Sequence, residues 1–272
     1  MSNLFNNKVV IVTGASSGIG KAIAYEFGRL GAKVVLAARS EEKLNAIQLD
    51  MTTMGFSSII AVTDVSREED CKRLITRTVE NFGTIHILIN NAGLSMRASF
   101  LDVDVKVLHR LMDVNFWGTV YCTKYALPYL IENKGSIVAV SSVAGFHGLP
   151  GRTGYSASKF AIHGLMETIR IENLKKGLHV MVIAPGFTTS EVRLHALTAD
   201  GSEQGESPRD ERNMDTPEHV AKWVIKGIRK KKRNKLLTME GKLTAFFQRI
   251  TPDFVDWVYY RVMSKESKSP IK

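Results

Sequence analysis

Residues 9–20 read VVIVTGASSGIG, and this stretch decides the fold. Val9, Val10, Ile11 and Val12 form an apolar, β-branched run of the kind that makes a buried strand. Ile19, Ala22, Ile23 and Phe27 then recur at helical spacing. Gly14, Gly18 and Gly20 therefore sit where a strand turns into a helix. Free backbone N–H groups and the helix dipole converge at such a turn, so it suits an anion. Gly14 permits the tight turn, Gly18 clears space for a phosphate oxygen, and Gly20 lets the helix pack close to the sheet. Ser16 and Ser17 add hydroxyl donors. No Lys-Ser or Lys-Thr pair follows the glycines, which excludes a nucleoside-triphosphate loop.

The strand–helix unit repeats. Strands are expected at 33–38, 59–62, 85–90, 136–142 and 179–185, and helices at 41–54, 67–82, 104–131 and 155–176. Gly31 is a helix stop. Strands rich in Val and Ile, without polar alternation, predict a mostly parallel sheet covered by helices on both faces. The class is a doubly wound α/β, Rossmann-type domain. After Gly186 the pattern breaks into a polar loop, 191–216, of the kind that serves as a lid. A helix at 217–230 and a strand at 235–239 close the sheet. No polar linker divides the 272 residues. The expected organisation is a catalytic domain over 1–240, with a substrate loop near 187–216, and an aromatic-rich helical extension over 241–272.

Bulk properties narrow the classes. Cys71 and Cys122 are the only cysteines, which points to a reducing compartment, the cytoplasm. No apolar run approaches the length of a membrane span, and residues 1–8 are too polar for a signal peptide. The seven histidines are scattered and make no metal site. The net charge of +10 is concentrated in Arg229–Lys235, RKKKRNK, with six basic residues in seven. That run reads as a solvated helix end or as a phosphate or lipid contact. No arrangement of aromatic platforms and cations resembles a nucleic-acid reading module.

Several residues at strand ends point to a dinucleotide. The second strand ends in AARS, with Arg39 where an acidic residue would otherwise bind ribose hydroxyls. A guanidinium pairs with a 2′-phosphate, so Arg39 argues for NADP over NAD. TDVS places Asp64 and Val65 after the third strand. Asp64 either accepts from an adenine amino group or caps the next helix, with Ser66 and Glu69 as a competing capping box. NNAG at 90–93 gives a tight turn at Asn91, Ala92 and Gly93 beside the cofactor.

Tyr155 and Lys159 are four apart at a helix start, on one face. A nearby ammonium favours phenolate and makes Tyr155 an acid/base group. The fifth strand ends in VSS, so Ser141 or Ser142 faces the same crevice, and Ser142 is placed to donate to a substrate oxygen. Asn115, inside an apolar helical stretch, either holds a water in a relay toward Lys159 or is a satisfied structural amide.

The ordered set TGASSGIG (13–20), NNAG (90–93), Asn115, Ser142, YSASK (155–159) and PG (185–186) resembles the short-chain dehydrogenase/reductase family over about residues 7–240. The resemblance implies that Asn115, Ser142, Tyr155 and Lys159 form a catalytic tetrad, with Lys159 also on the nicotinamide ribose. It implies NADP(H) contacts from Gly14, Ser16, Ser17, Gly18, Ile19 and Gly20, then from Arg39, Asp64 and Val65. Asn91, Ala92 and Gly93 follow, then Tyr155 and Lys159, and last Pro185, Gly186, Thr188 and Ser190. Thr188 stands where the family commonly has an aliphatic residue, and Ser190 where it has Thr. Ser17 stands before Gly18 where a basic residue would add a 2′-phosphate contact, so the NADP preference rests on Arg39. The resemblance also implies homodimers or homotetramers.

Phe146, His147 and Leu149 lie between Ser142 and Tyr155 and are expected, with Phe187, to line a substrate pocket. Residues 243–263, LTAFFQRITPDFVDWVYYRVM, form an apolar stripe broken at Pro252. It reads as a segment docked on the body or a subunit, or as a peripheral membrane contact. The function that follows is an NADP(H)-dependent interconversion of a ketone or aldehyde and an alcohol. The rival is a non-catalytic NADPH-sensing protein that docks a partner through its basic aromatic tail.

Overall fold

A computed structural model describes residues 4–189, 191–205, 214–265 and 269–271. Seven strands form one sheet: β1 (Val9–Thr13), β2 (Lys33–Ala38), β3 (Ser58–Val62), β4 (Ile87–Asn90), β5 (Ser136–Val140), β6 (His179–Ala184) and β7 (Asn234–Leu236). Their order is β3-β2-β1-β4-β5-β6-β7, and every neighbouring pair is parallel. This is the doubly wound arrangement expected from the sequence. The order reverses between β1 and β4, and the crevice for a ligand opens outside the carboxyl ends of the strands there.

The strand composition explains the two layers. Val10 and Val12 of β1 point to one core, with Val34 and Leu36 of β2, while Ile11 and Val35 point to the other. The first face is covered by α1 (Gly18–Arg29), α2 (Glu41–Thr53) and α7 (Pro217–Arg229), through Ile23, Leu44 and Val224 among others. The second is covered by α3 (Glu68–Phe82), α5 (Gly118–Glu132) and α6 (Thr153–Glu172), through Leu74, Ala126 and Ile162. Parallel strands require burial on both faces, and the consecutive apolar residues through the middle of these strands meet that requirement. Cys71 and Cys122 are free, buried thiols in the second core, with sulfurs 3.5 Å apart.

Several boundaries differ from the sequence reading. The single helix expected over 104–131 is three segments: α4 (Val105–Leu111), a π-helical turn (Met112–Trp117) and α5. Asn115 lies in that π turn and is fully buried. β4 begins at Ile87, two residues after the expected start at Ile85, and β5 ends at Val140 rather than 142. The strand expected at 235–239 stops at Leu236, because Thr238 caps α8 (Met239–Phe247) by accepting from the Gly241 amide at 3.1 Å. The last helix, α9 (Pro252–Ser264), starts at the expected break. The Ser66/Glu69 capping box does not form. Glu69 pairs with Lys72 at 2.9 Å, and the α3 entry is organised instead by Asp64, whose carboxylate accepts from the Ser66 amide at 3.0 Å. Asp70 in turn accepts from the Asp64 amide at 3.1 Å.

Candidate active site

A cavity of about 480 Å³ opens at the carboxyl ends of the strands. Ser16, Ser17, Gly18 and Ile19 from the β1–α1 turn line its floor, with Gly14. Gly14 and Gly18 have φ of +66° and +49°, a left-handed backbone that favours glycine. Ser17 is the N-cap of α1 and makes no side-chain capping bond, so the first amides of the helix are left for an incoming anion. Gly20 stands behind the wall. A Cβ there would lie 2.2 Å from the Gly14 carbonyl oxygen, so the helix packs on the glycine turn itself. Gly20→Ala is expected to lower stability by about 1–3 kcal/mol and to weaken dinucleotide binding, read by thermal unfolding and by titration.

The turn is clamped from β4. The Thr13 hydroxyl accepts from the Asn91 and Ala92 amides at 3.0 and 3.1 Å, and the Asn91 side chain donates to the Thr13 carbonyl at 2.9 Å. The Asn91 amide group is thereby engaged in holding the glycine turn, while Asn91, Ala92 and Gly93 all reach the cavity wall. Arg39, Ser40 and Lys43 line one end of the cavity, with Asp64 and Val65 beside them. Pro185, Gly186, Phe187 and Thr188 line the other. Ser190 falls outside the described residues.

Tyr155, Ser142 and Lys159 share the middle of this cavity. Ser142, not Ser141, faces Tyr155 and hydrogen-bonds its phenol. Ser141 turns away to His163, at 2.9 Å. Burial is the main influence on Tyr155 and raises its pKa above the usual 10, while the Ser142 hydrogen bond and the Arg152 charge pull it down. Lys159, 4% exposed, donates to the Val140 carbonyl at 3.0 Å and lies 5.6 Å from the Tyr155 ring centroid. Burial brings its pKa down to about 8. The sequence reading, in which the ammonium dominates the phenol, thus gives way to one in which desolvation holds Tyr155 protonated. His163 is held neutral by burial and by the nearby Lys159 charge, at a pKa of about 4.

Lys159 is a buried cation, and the sign of its effect follows. The folded protein holds the Lys159 proton less tightly than the unfolded chain does, so this residue disfavours folding below about pH 8. That penalty lessens as pH rises from there toward the ordinary lysine value. Lys159→Met is expected to match or exceed the wild-type Tm at neutral pH while losing turnover, with the Tm difference shrinking at alkaline pH. Parallel melts and rate assays check both parts.

Asn115 stands behind the cavity wall. Its side chain donates to the Leu94 carbonyl at 3.0 Å and to the Ser158 hydroxyl at 2.9 Å, and accepts from the Leu94 amide at 2.7 Å. It ties the β4 loop to α6 at Ser158, the residue next to Lys159. All three of these bonds are made by the side-chain amide. The π turn aims it inward, a common use of such turns at functional sites.

Two of the four expected substrate contacts are elsewhere. Leu149 and Phe187 line the cavity. A short 3₁₀ turn at Val143–Gly145 swings Phe146 and His147 out of it. Phe146 packs edge-on to His163, with centroids 4.4 Å apart. His147 is buried 4.6 Å from the Tyr259 ring and 3.7 Å from Asp256. The tail is thus docked on the body, and Tyr259 of α9 completes the cavity wall. Sequence reasoning missed Arg97, Arg152, Arg193 and Tyr259 as lining residues. Position three before Tyr155 was the one signal for Arg152.

Among the described residues, no three His, Cys, Asp or Glu side chains gather as a metal site, and no helix is long and apolar enough to cross a membrane.

The chain is similar to known proteins in sequence and in fold. The family model for short chain dehydrogenases matches residues 8–199. The chain is 36% identical over 260 residues to an 11-beta-hydroxysteroid dehydrogenase of Pinus massoniana, covering 93% of this chain and 73% of the relative. It is 34% identical over 270 residues to a dehydrogenase/reductase SDR family protein 7-like of Anopheles gambiae, covering 97% and 84%. Among solved structures, a short chain dehydrogenase/reductase from Burkholderia phymatum in complex with NAD superposes with a TM-score of 0.81 at 24% identity, over 92% of this chain and 95% of that one. An alcohol dehydrogenase from Thermococcus sibiricus complexed with 5-hydroxy-NADP gives 0.72 at 27% identity, over 85% and 94%. With the family model spanning more than half its length, this chain belongs to the short-chain dehydrogenase/reductase family, oxidoreductases acting on CH–OH and C=O groups.

Proposed function

We propose that the protein is an NADP(H)-dependent reductase of a ketone or aldehyde, reversible to alcohol oxidation, with Tyr155 as the acid/base. The observation that carries this is the placement of Tyr155, Ser142 and Lys159 in one cavity with an uncapped helix N-terminus and Arg39. The glycine turn fits a pyrophosphate, and Arg39 with Lys43 fits a 2′-phosphate. When bound, NADPH supplies the hydride. Tyr155 gives its phenolic proton to the carbonyl oxygen as that oxygen gains an electron pair. Ser142 donates a hydrogen bond to the same oxygen. The Lys159 ammonium stabilises the phenolate left behind, and solvent returns the proton. Burial keeps Tyr155 protonated at neutral pH, which loads it for reduction.

The test is loss of nicotinamide fluorescence from NADPH with a panel of carbonyl compounds. Turnover supports the reading. Tight NADPH binding with no turnover across the panel favours the rival, an NADPH sensor. That second reading has one observation behind it: Phe246, Phe254 and Trp257 of the tail are half exposed or more, a face fitted to a second copy of the chain or to a membrane surface. On the proposed reading residues 1–240 carry the chemistry in the cytoplasm, and residues 241–272 add the tail, for a homodimer, a homotetramer or a peripheral membrane contact.

A further inference from the structure

Residues 217–264 hold eleven lysines and arginines against four carboxylates, Glu218, Glu240, Asp253 and Asp256. Lys226 of α7 and Lys235 of β7 both lie over the Trp223 ring, 4.4 and 3.9 Å from its centroid. An aromatic face collects cations in this way. Lys232 and Lys242 complete the cluster. Burial, then the charges of Lys242, Lys226 and Lys232, hold the Lys235 pKa below the ordinary lysine value. Among the described residues, no carboxylate pairs with any of these four lysines. Like charges gathered without a counter-ion repel one another, and an anion brought to them relieves that repulsion.

The cluster borders an apolar stripe. Met239, Leu243 and Phe246 recur along α8 at spacings of four and three, which puts them on one face. They are 65%, 49% and 58% exposed. Gly241 and Thr244 take the opposite, buried side, where the Thr244 hydroxyl bonds that of Tyr259 at 3.0 Å and ties the helix to α9. Lys242 is four positions before Phe246, so charge and apolar surface meet on one side of α8. Arg249 and Ile250, both exposed, continue the mixture past the helix end. Thr238 and Glu240, on either side of Met239, line the cavity, so the stripe starts at its rim.

We propose that α8 and the lysine cluster dock on an anionic phospholipid bilayer, with Met239, Leu243 and Phe246 entering the headgroup layer. This goes beyond the proposed reduction and commits the tail face left open above to one occupant. Charge complementarity carries the choice. Lipid phosphates supply the missing anions, and the acyl boundary beneath them takes the apolar stripe. A second copy of the chain fits less well, since a two-fold contact centred on this surface brings two lysine clusters together. A nucleic-acid backbone satisfies the lysines and leaves the stripe in water.

The test is co-sedimentation of the full chain with vesicles of phosphatidylcholine, with and without phosphatidylglycerol. Partition onto the anionic vesicles is expected to exceed that onto neutral ones by about a hundredfold and to fall steeply with salt. Combining Lys226→Gln, Lys232→Gln, Lys235→Gln and Lys242→Gln is expected to remove most of that difference. Leu243→Ser with Phe246→Ser keeps the charge and is expected to weaken binding to anionic vesicles by about tenfold. Thermal melts report that each variant is folded. None of these residues lines the cavity, so NADPH binding is read separately, and its absence overturns the proposed function alone. Equal partition onto both vesicles, or none onto either, overturns the inference. So does anionic binding untouched by the serine pair, which would be charge adsorption alone. A dimer that the serine pair dissociates, with no vesicle binding, assigns the face to a second copy. A DNA duplex that excludes vesicles and binds regardless of the serine pair assigns the lysines to nucleic acid. Either result also overturns it.

Discussion

Tyr155→Phe is expected to lower carbonyl reduction by about a thousandfold while leaving NADPH affinity near wild type. The substitution removes one oxygen and keeps the ring that packs between the α6 entry and the β4 loop. The loss comes from the proton. Ser142 still donates to the substrate oxygen, but a hydroxyl near its ordinary acidity does not replace a phenol as the general acid. The pKa direction sharpens the prediction. Burial raises Tyr155, so the wild-type phenol is fully protonated at neutral pH, and mild acid adds nothing to it. Reduction should be level from mild acid to neutrality. It should fall above about pH 8, where Lys159 sheds its proton and the phenolate loses its neighbouring charge. Steady-state rates against pH, with wild type and Tyr155→Phe side by side, measure both effects. Wild-type-like turnover in the variant would exclude Tyr155 as the acid.

Arg39→Asp is expected to reverse the cofactor preference, lowering the NADPH-to-NADH affinity ratio by about a hundredfold. Arg39 is exposed at the end of β2 and lines the cavity beside Ser40 and Lys43. On the proposed function its pairing with a 2′-phosphate would be charge-assisted, so removing it would cost more than a neutral hydrogen bond. The aspartate adds repulsion toward the 2′-phosphate and an acceptor for a ribose hydroxyl. Because the site is open to solvent, the wild-type preference should weaken at high salt. Titrations at two ionic strengths read both consequences. An unchanged ratio would assign the selection to Lys43 or to other cavity residues.

Much of this molecule was legible in its sequence because burial is written into residue type. A parallel strand covered on both faces must be apolar through its buried length, and VVIV is, as are VVLAA and VMVIA once the leading Lys33 and His179 are passed. Glycines at φ of +66° and +49° mark the turn because few other residues tolerate that backbone. Other features left no such mark. The π turn at Met112–Trp117 adds one residue to a helical ring, and MDVNFW reads like any other helical segment. Phe146 and His147 are aromatic and lie between Ser142 and Tyr155. Only the 3₁₀ turn before them decides that they pack on His163 and Tyr259 instead of a substrate. Arg97 and Arg152 lie in loops, where charge defaults to solvent, and their place in the cavity wall depends on stitching between segments far apart in the chain. The Ser66/Glu69 pair had the spacing of a capping box, but the Asp64 carboxylate takes the Ser66 amide that Glu69 would have bonded, and Asp70 takes the Asp64 amide.

On the proposed function, the cavity selects a 2′-phosphorylated dinucleotide and presents it to Tyr155. A fluorescence titration of the purified protein with NADPH and with NADH, in one buffer, tests this most directly. Binding of NADPH at least about tenfold tighter than NADH is the predicted result. Equal or tighter binding of NADH would contradict it, and would turn the search for substrates toward NAD-linked alcohol oxidation.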